Sequence, residues 1–274
     1  MSSRLFSPDS VFWRVNREWL LILAGPRSLL LELAHPLVAA GVAAHSDFRR
    51  DPLGRLCRTI RVMTDLNFGT PGVARRAAGR VNGCHHRVTG TLPEAVGPYL
   101  AGTRYQANDL FLKLWVLATL IDSVLLVHDH FVRPLLLSEK QAYYRDSQRL
   151  ARAFGIPAPM MPPTYADFVT YMDSMLNSDL LTVGPEAREI KEALFAPPLL
   201  GPAARAASFA GIGLLPERLR AEYHFEWGER QERWLSRWAA LSTWLHPWLP
   251  NALRAHPQAV LAEWRMRRVS QGRA

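Results

Sequence analysis

Cysteine is nearly absent. The chain of 274 residues holds only Cys57 and Cys84, which support neither a disulfide framework nor a CxxC metal or redox motif. That usage fits a reducing, cytoplasmic setting. The first residues, MSSRLFSPDSVFWRV, lack the apolar core of a secretory signal peptide. GxSxG, GxGxxG, the P-loop, HExxH and DxD are all missing, so hydrolase, Rossmann dehydrogenase, NTPase and zinc-helix readings find no support. Sustained period-two alternation is missing too, as are internal repeats and low-complexity tracts, which argues against a sheet-built fold or a solenoid. No zinc-finger spacing and no basic stripe interleaved with aromatics accompany the net charge of +9, so a nucleic-acid partner is not expected.

What is present is ordinary in amount and helical in pattern. Apolar residues make up 49% and charged residues 21%, enough for one sizeable core in a chain of this length. The longest nearly unbroken apolar stretch runs from Asp109 to Phe131, DLFLKLWVLATLIDSVLLVHDHF, interrupted only by Lys113, Thr119, Asp122 and Ser123 before its polar close. It has no Gly or Pro, and Pro134 follows shortly after its end. The pattern predicts a helix packed on every face, the central rod of a helical domain. Lys113 and Asp122 argue against placing that helix in a bilayer.

Around the rod the spacing predicts further helices. One over 11–25 is interrupted at Gly25–Pro26, and an apolar one over 26–48 is broken at Pro36 and Gly41. Asp51 to Gly54 reads as a turn, followed by an amphipathic helix ending at Gly69. A basic helix starts at Thr70–Pro71 and ends near Thr89–Gly90, and 91–108 reads as a loop. Ser138 is the expected cap of a helix ended by Gly155, IPAPMMPP a rigid linker, and Thr164 a cap with Asp167 in a capping box. Shorter helices are expected over 184–197 and 199–225. The C-terminal third, with Trp227, Trp234, Trp238, Trp244, Trp248 and Trp264, is expected to close the structure with large apolar side chains. The expectation is all-α, a single globular domain over 1–274.

Nine histidines are the obvious candidates for chemistry. His224, His246 and His256 read as surface or packing residues. His35 in an apolar segment reads as a hydrogen-bonded core histidine, with metal ligation the alternative, and His45 as a helix-end residue. His85 and His86 stand out. Arg80, Val81, Cys84, His85 and Val88 share one helix face, which pairs a guanidinium, a thiol and an imidazole with apolar neighbours. Arg80 toward a carboxylate or propionate, with His85 as metal ligand or acid/base, is one reading; cations favoured by a helix C-terminus is the other. His128 falls three turns after Leu117 on the same side of the rod, and His130 points elsewhere.

Several strings then resemble one family in order and spacing. They are GPRSLLLELAHPLVAAGVAAHSDFRRDPLGRLCRTI, RVNGCHHRVTG, RYQANDLFLKLWVLATLIDS, FGIP with PPTYADFVTYM, and GLLPERLR. Together they resemble the mpaB-type and rubber oxygenase (latex-clearing protein) catalytic-domain family over a core of about 12–260. The resemblance implies an all-helical oxygenase domain that binds a b-type haem and uses dioxygen against carbon–carbon double bonds of isoprenoid chains. It places Arg80 and Cys84 on the Arg and Thr of an RxxxT-like helix, Cys replacing Thr, and His85 on the His of an HxxVxG string. One position departs from it: the family's WVHAT string reads Trp115–Val116–Leu117–Ala118–Thr119, with Leu117 where a proximal haem ligand is expected.

The resulting expectation is an oxidoreductase, a haem-dependent oxygenase acting with O2 on an apolar, isoprenoid- or lipid-like substrate. Its catalytic candidates are Arg80, His85 and Asp122, the last as a buried carboxylate or a partner to another site group. Cofactor contacts are assigned to His85, Arg80, Cys84, His35 and Leu117, with the iron on His85 and His35 or His128 in reserve. The alternative is a non-catalytic helical container for a hydrophobic ligand that has lost the metal site, and Leu117 speaks for it. Buried charge at Arg80, His85 and Asp122 speaks against it. A peripheral contact with anionic membrane, through the basic surface and the Trp-rich C-terminal part, is a third expectation.

Overall fold

Caps and prolines set where the helices begin. The computed structural model describes residues 5–195 and 201–271. The Ser10 hydroxyl accepts from the Trp13 amide at 3.1 Å and starts α1 (Val11–Asn16). A 3-10 turn (Trp19–Leu23) leads into α2 (Ala24–Leu33), and α3 (Pro36–His45) leaves at a bend of 104°. Asp51 caps α4 (Pro52–Phe68) through the Gly54 amide at 2.9 Å, so the expected Asp51–Gly54 turn is the first turn of a helix. Gly41 does not break α3 either. It lies where the helix meets Val88 and Tyr105, and the helix continues through it.

α5 (Pro71–His85) ends earlier than its pattern suggests, because the chain then pairs as a hairpin. β1 (Thr89–Thr91) and β2 (Arg104–Gln106) run antiparallel with Gly90 opposite Tyr105. The stretch 91–108, expected as a loop, therefore holds a strand and buries Leu92, Val96 and Tyr105 against α3. Strands of three residues are too short to show alternation in sequence.

Asp109 accepts from the amides of Phe111 and Leu112 at 2.8 and 3.2 Å and starts α6 (Leu110–Phe131), the predicted rod. α7 (Leu137–Ala153) begins a residue before Ser138, and Glu139 rather than the serine closes its end by accepting from the Leu136 amide at 3.0 Å. The capping box of Thr164 and Asp167 opens α8 (Tyr165–Leu176) as expected. α9 (Pro185–Phe195) and α10 (Pro202–Gly213) follow; the expected helix ends over 196–200 lie outside the described residues. α11 (Glu217–Glu222), α12 (Glu229–Leu245), α13 (Asn251–Arg254) and α14 (Pro257–Gln271) complete the chain. The architecture is all-α, with the small hairpin the sole sheet among the described residues.

α6 is long and apolar enough to cross a membrane, yet Leu114, Trp115, Leu117, Ala118, Thr119, Ile121 and Ser123 are buried within the protein. It is the core helix. Each large apolar side chain removed from water there contributes roughly 1.5–3 kcal/mol. α2 lies along it in the opposite sense, since Arg27 meets Asp122 and Ser123 while the Leu31 carbonyl accepts from the Trp115 indole at 3.2 Å. α10 covers the other side of α2 at very short range. A Cβ on Gly211 would stand 2.8 Å from the Arg27 amide nitrogen, so glycine is what lets the two backbones approach.

The C-terminal tryptophans depart from expectation. Trp234, Trp244, Trp248 and Trp264 are exposed, and Trp227 and Trp238 are half-buried. Only Trp227 and Trp238 pack against buried core; the other four do not close it.

Candidate active site

One group of buried polar side chains lies where α6 faces α2. Arg27, at 3% exposure, ion-pairs with Asp122 at 2.7 Å, donates to the Ser123 hydroxyl at 2.8 Å and donates to the Leu214 carbonyl at 2.9 Å. A buried guanidinium is tolerable only when satisfied in this way. Asp122 thus serves as the counter-charge of Arg27.

Further along α2 stands Glu32. Burial pushes its carboxyl up from 4.5 to about 7, against the opposing pull of the Arg55 charge and a hydrogen bond with Thr119. Protein surrounds Glu32 closely, yet it keeps some accessible surface. Arg55 on α4 has the same character, and burial pulls its guanidinium below the usual value while Glu32 opposes that pull. Tyr223 is fully buried, donates to the Leu30 carbonyl at 2.7 Å, and is held well above the usual phenol value by burial, with the charges of Glu222 and Glu32 adding to it. Thr119 donates to the Val116 carbonyl at 2.8 Å. The chemistry of this group is that of a carboxyl poised to give or take a proton near neutrality, beside a cation and two hydroxyls.

Glu32, Arg27, Arg55 and Tyr223 are functional candidates that the sequence did not bring forward. The signals for Glu32 were a lone acid inside LLLELA and its ExxH spacing to His35.

The other side of α6 carries Leu117. Lys113, one turn before it, donates to the Asn82 side-chain oxygen at 3.5 Å and to the Phe154 carbonyl at 3.2 Å. Next to Asn82 on α5 lies His85, half-buried, with its Nδ1 buried and without a hydrogen-bond partner among the described residues. Burial first and the Lys113 charge second hold its imidazole below the usual value, so the ring is neutral at physiological pH. Leu117 itself is 2% exposed and packed into the main core.

The structure brings together only part of the expected constellation. α5 turns Ala74, Ala77, Ala78, Val81 and His85 inward, which leaves Arg80 and Cys84 exposed on its flank. The Arg80 guanidinium reaches Asp65 at 3.3 Å. Asp122 belongs to the opposite side of α6, with Arg27.

His35, before α3, is buried. Its Nε2 meets the Tyr99 hydroxyl at 3.1 Å and its Nδ1 has no partner among the described residues. Burial lowers it to about 4, with Asp109 and its own backbone opposing, so it too is neutral. His128 closes α6 by holding the Arg133 carbonyl at 2.9 Å. It lines a cleft of about 340 Å³ with Glu18 and His246, which pair at 2.8 Å, and with Arg254, 3.3 Å from Glu18. His246, expected as a surface or packing residue, is half of a buried pair. Arg133 and Arg254 in this cleft are matched by Glu139 and Glu18, and Glu18 ties the segment after α1 to the C-terminal part.

A b-type haem needs one protein donor on the iron. The imidazole of His85 fits that need, being partly buried, held below its usual value by burial, and having a ring nitrogen with no hydrogen-bond partner among the described residues. Leu117 offers no donor. No set of three His, Cys, Asp or Glu side chains converges among the described residues.

Comparison with known proteins bears on the same region. A family model described as the catalytic domain of ER-bound oxygenase mpaB/B′/rubber oxygenase matches residues 13–244, which span α1 to α12. An uncharacterized protein of Mycobacterium tuberculosis is 28% identical over 215 residues, covering 75% of this chain and 81% of its own length. One of Mycobacterium bovis, also uncharacterized, matches equally, at 28% over 215 residues. No solved structure matches significantly.

Proposed function

The chain belongs to the mpaB/rubber oxygenase catalytic-domain family, and from that premise we propose a haem b-dependent oxidoreductase that acts with O2 on an apolar, isoprenoid- or lipid-like substrate. Membership supports oxygenase chemistry in general. The haem, the substrate class and the residue roles are this reading's own.

The observation that carries it is Glu32, a carboxyl raised to about 7 inside an apolar core, with Thr119, Arg55 and Tyr223 around it. A passive container has no use for such a group, which costs stability to bury. In this reading His85 would hold the haem iron through its imidazole, which burial first and the Lys113 charge second keep below its usual value. Haem, when bound, supplies the activation of O2. Glu32 holds or releases a proton at its carboxyl, and Arg55 stabilises the charged form. Arg27 and Asp122 fix α2 against α6, so that Glu32 is held in register with Thr119. The apolar lining excludes water from the substrate. Oxidative cleavage of a carbon–carbon double bond balances without an outside reductant: the double bond breaks, and each carbon receives one atom of O2 as a carbonyl.

The container reading rests on Leu117, an aliphatic side chain where the family string leads one to expect a histidine. The two readings separate on turnover. Purified protein supplied with haem is given unsaturated isoprenoids and lipids under isotopically labelled O2, and the products are read by mass spectrometry. The proposal expects labelled carbonyl products that disappear in Glu32→Gln, with haem retained. Binding of the same compounds with no O2 uptake establishes the container instead.

A further inference from the structure

α12 is apolar on two adjacent sides. One side faces the protein. Leu235 is buried, Trp238 meets Phe131 with ring centroids 4.9 Å apart, and Ser242 donates to the Phe131 carbonyl at 2.6 Å. The other side carries Trp234, Leu241, Trp244 and Leu245, all exposed. At about 3.6 residues per turn these four share one stripe, and Arg230 and Arg237 fall on the same stripe.

The chain then runs into Trp248, Leu249 and, on α13, Leu253, also exposed. Trp244 and Trp248 reach 66% and 77% exposure. The turn Trp19–Leu23 packs on α13 and presents Trp19 and Ile22 outward. Single exposed apolar residues are ordinary, but a run of this length along one helix and its continuation marks a docking surface.

The occupant follows from the residue types. Tryptophan favours the headgroup level of a bilayer, and an arginine beside it finds lipid phosphate there. A chain of net charge +9 is drawn to an anionic surface. Trp248, Leu249 and Leu253 lie beyond residue 244, where the family match ends, so this part of the face is not shared with the oxygenase body.

We infer that α12 and the segment after it seat the chain on an anionic lipid bilayer, with Trp244 and Trp248 at headgroup level and Arg230 and Arg237 against lipid phosphates. The inference stands whether or not the interior is an oxygenase site. Docking there places the chain where apolar molecules concentrate.

The test is sedimentation of the full chain with phosphatidylcholine vesicles, with and without phosphatidylserine. Binding is expected to the phosphatidylserine vesicles and to be weak to phosphatidylcholine alone. Arg230→Gln and Arg237→Gln should each lower affinity roughly fivefold. Trp244→Ser combined with Trp248→Ser should lower it roughly tenfold or more. All four positions are exposed, so the variants should keep the wild-type helical circular dichroism. Failure of the wild type to bind overturns the inference, as does unchanged binding in the folded variants. Self-association abolished by the tryptophan changes, without vesicle binding, would make the face a contact between copies and equally overturn it.

Discussion

The two sides of α6 treat buried polar groups in opposite ways. Toward α2, Arg27 is matched by Asp122, Ser123 and Leu214, and Glu32 is eased by Thr119 and Arg55. On the far side of α6, Leu117 packs as plain core, while His85 on α5 keeps a ring nitrogen with no partner among the described residues. A satisfied network holds two helices in register. A spare donor beside an apolar wall is what a bound group needs. On the proposed reading, Arg27 and Asp122 hold α2 in register, and His85 offers the nitrogen that a bound group would use.

The largest effect should come from breaking the satisfied side. Arg27→Leu leaves Asp122 and Ser123 without their cation and should cost about 3–5 kcal/mol in urea unfolding. Combining it with Asp122→Leu should recover part of that loss, because the stranded charge goes too. A loss below about 1 kcal/mol for Arg27→Leu would mean the network is not holding α2 in place.

Next comes the aliphatic side. Leu117→His puts an imidazole into packed core and should cost about 2 kcal/mol without haem. Added haem should offset that cost if this side of α6 faces the cofactor, since a ligand of the folded state alone stabilises it. Persistence of the full loss with haem present would move the cofactor elsewhere.

Glu32 sharpens the comparison through pH. Its folded value, about 7, lies above the unfolded 4.5, so across that window the unfolded chain has released a proton that the folded chain still holds. Its contribution is therefore fully present below pH 4.5 and lost as pH rises toward about 7, then constant above. The expected span is on the order of 1–2 kcal/mol, because the residual accessible surface of Glu32 weakens the effect. Glu32→Gln should flatten this part of the stability profile, and a profile with the same slope in wild type and variant would contradict it.

The smallest effect should be at Arg80. Its pair with Asp65 is open to solvent, so Arg80→Ala should change stability by a few tenths of a kcal/mol at most. A loss of several times that would give Arg80 a partner beyond Asp65.

Much of the fold could be read from residue order. α6 was legible because its apolar run is long, uninterrupted by Gly or Pro, and opened by an aspartate that caps it. Thr164 and Asp167 marked α8 for the same local reason. The hairpin was not legible, since Thr89–Gly90–Thr91 carries no apolar alternation and is held by Tyr105 fifteen residues later. The exposed tryptophans were misread because hydrophobicity gives a side chain's preference, whereas α12 has more apolar positions than the core has room to cover.

The site was legible in fewer places. His85 was found, but the phase of α5 is set by its alanines, and that phase turns Arg80 and Cys84 outward. Asp122 was found without its partner, because Arg27 lies ninety-six residues before Ser123, which it also holds. Glu32 was missed because its raised value comes from burial, and the residues that oppose the rise, Arg55 and Thr119, are not near it in the chain.

The proposal that His85 holds a haem is tested most directly by the absorption spectrum of the purified chain and of His85→Ala during addition of haem. The account predicts a Soret band with about one b-type haem per chain by pyridine haemochrome, lost in His85→Ala while the helical circular dichroism is kept. A wild-type chain that stays colourless with haem, or a variant with an unaltered Soret band, would contradict it.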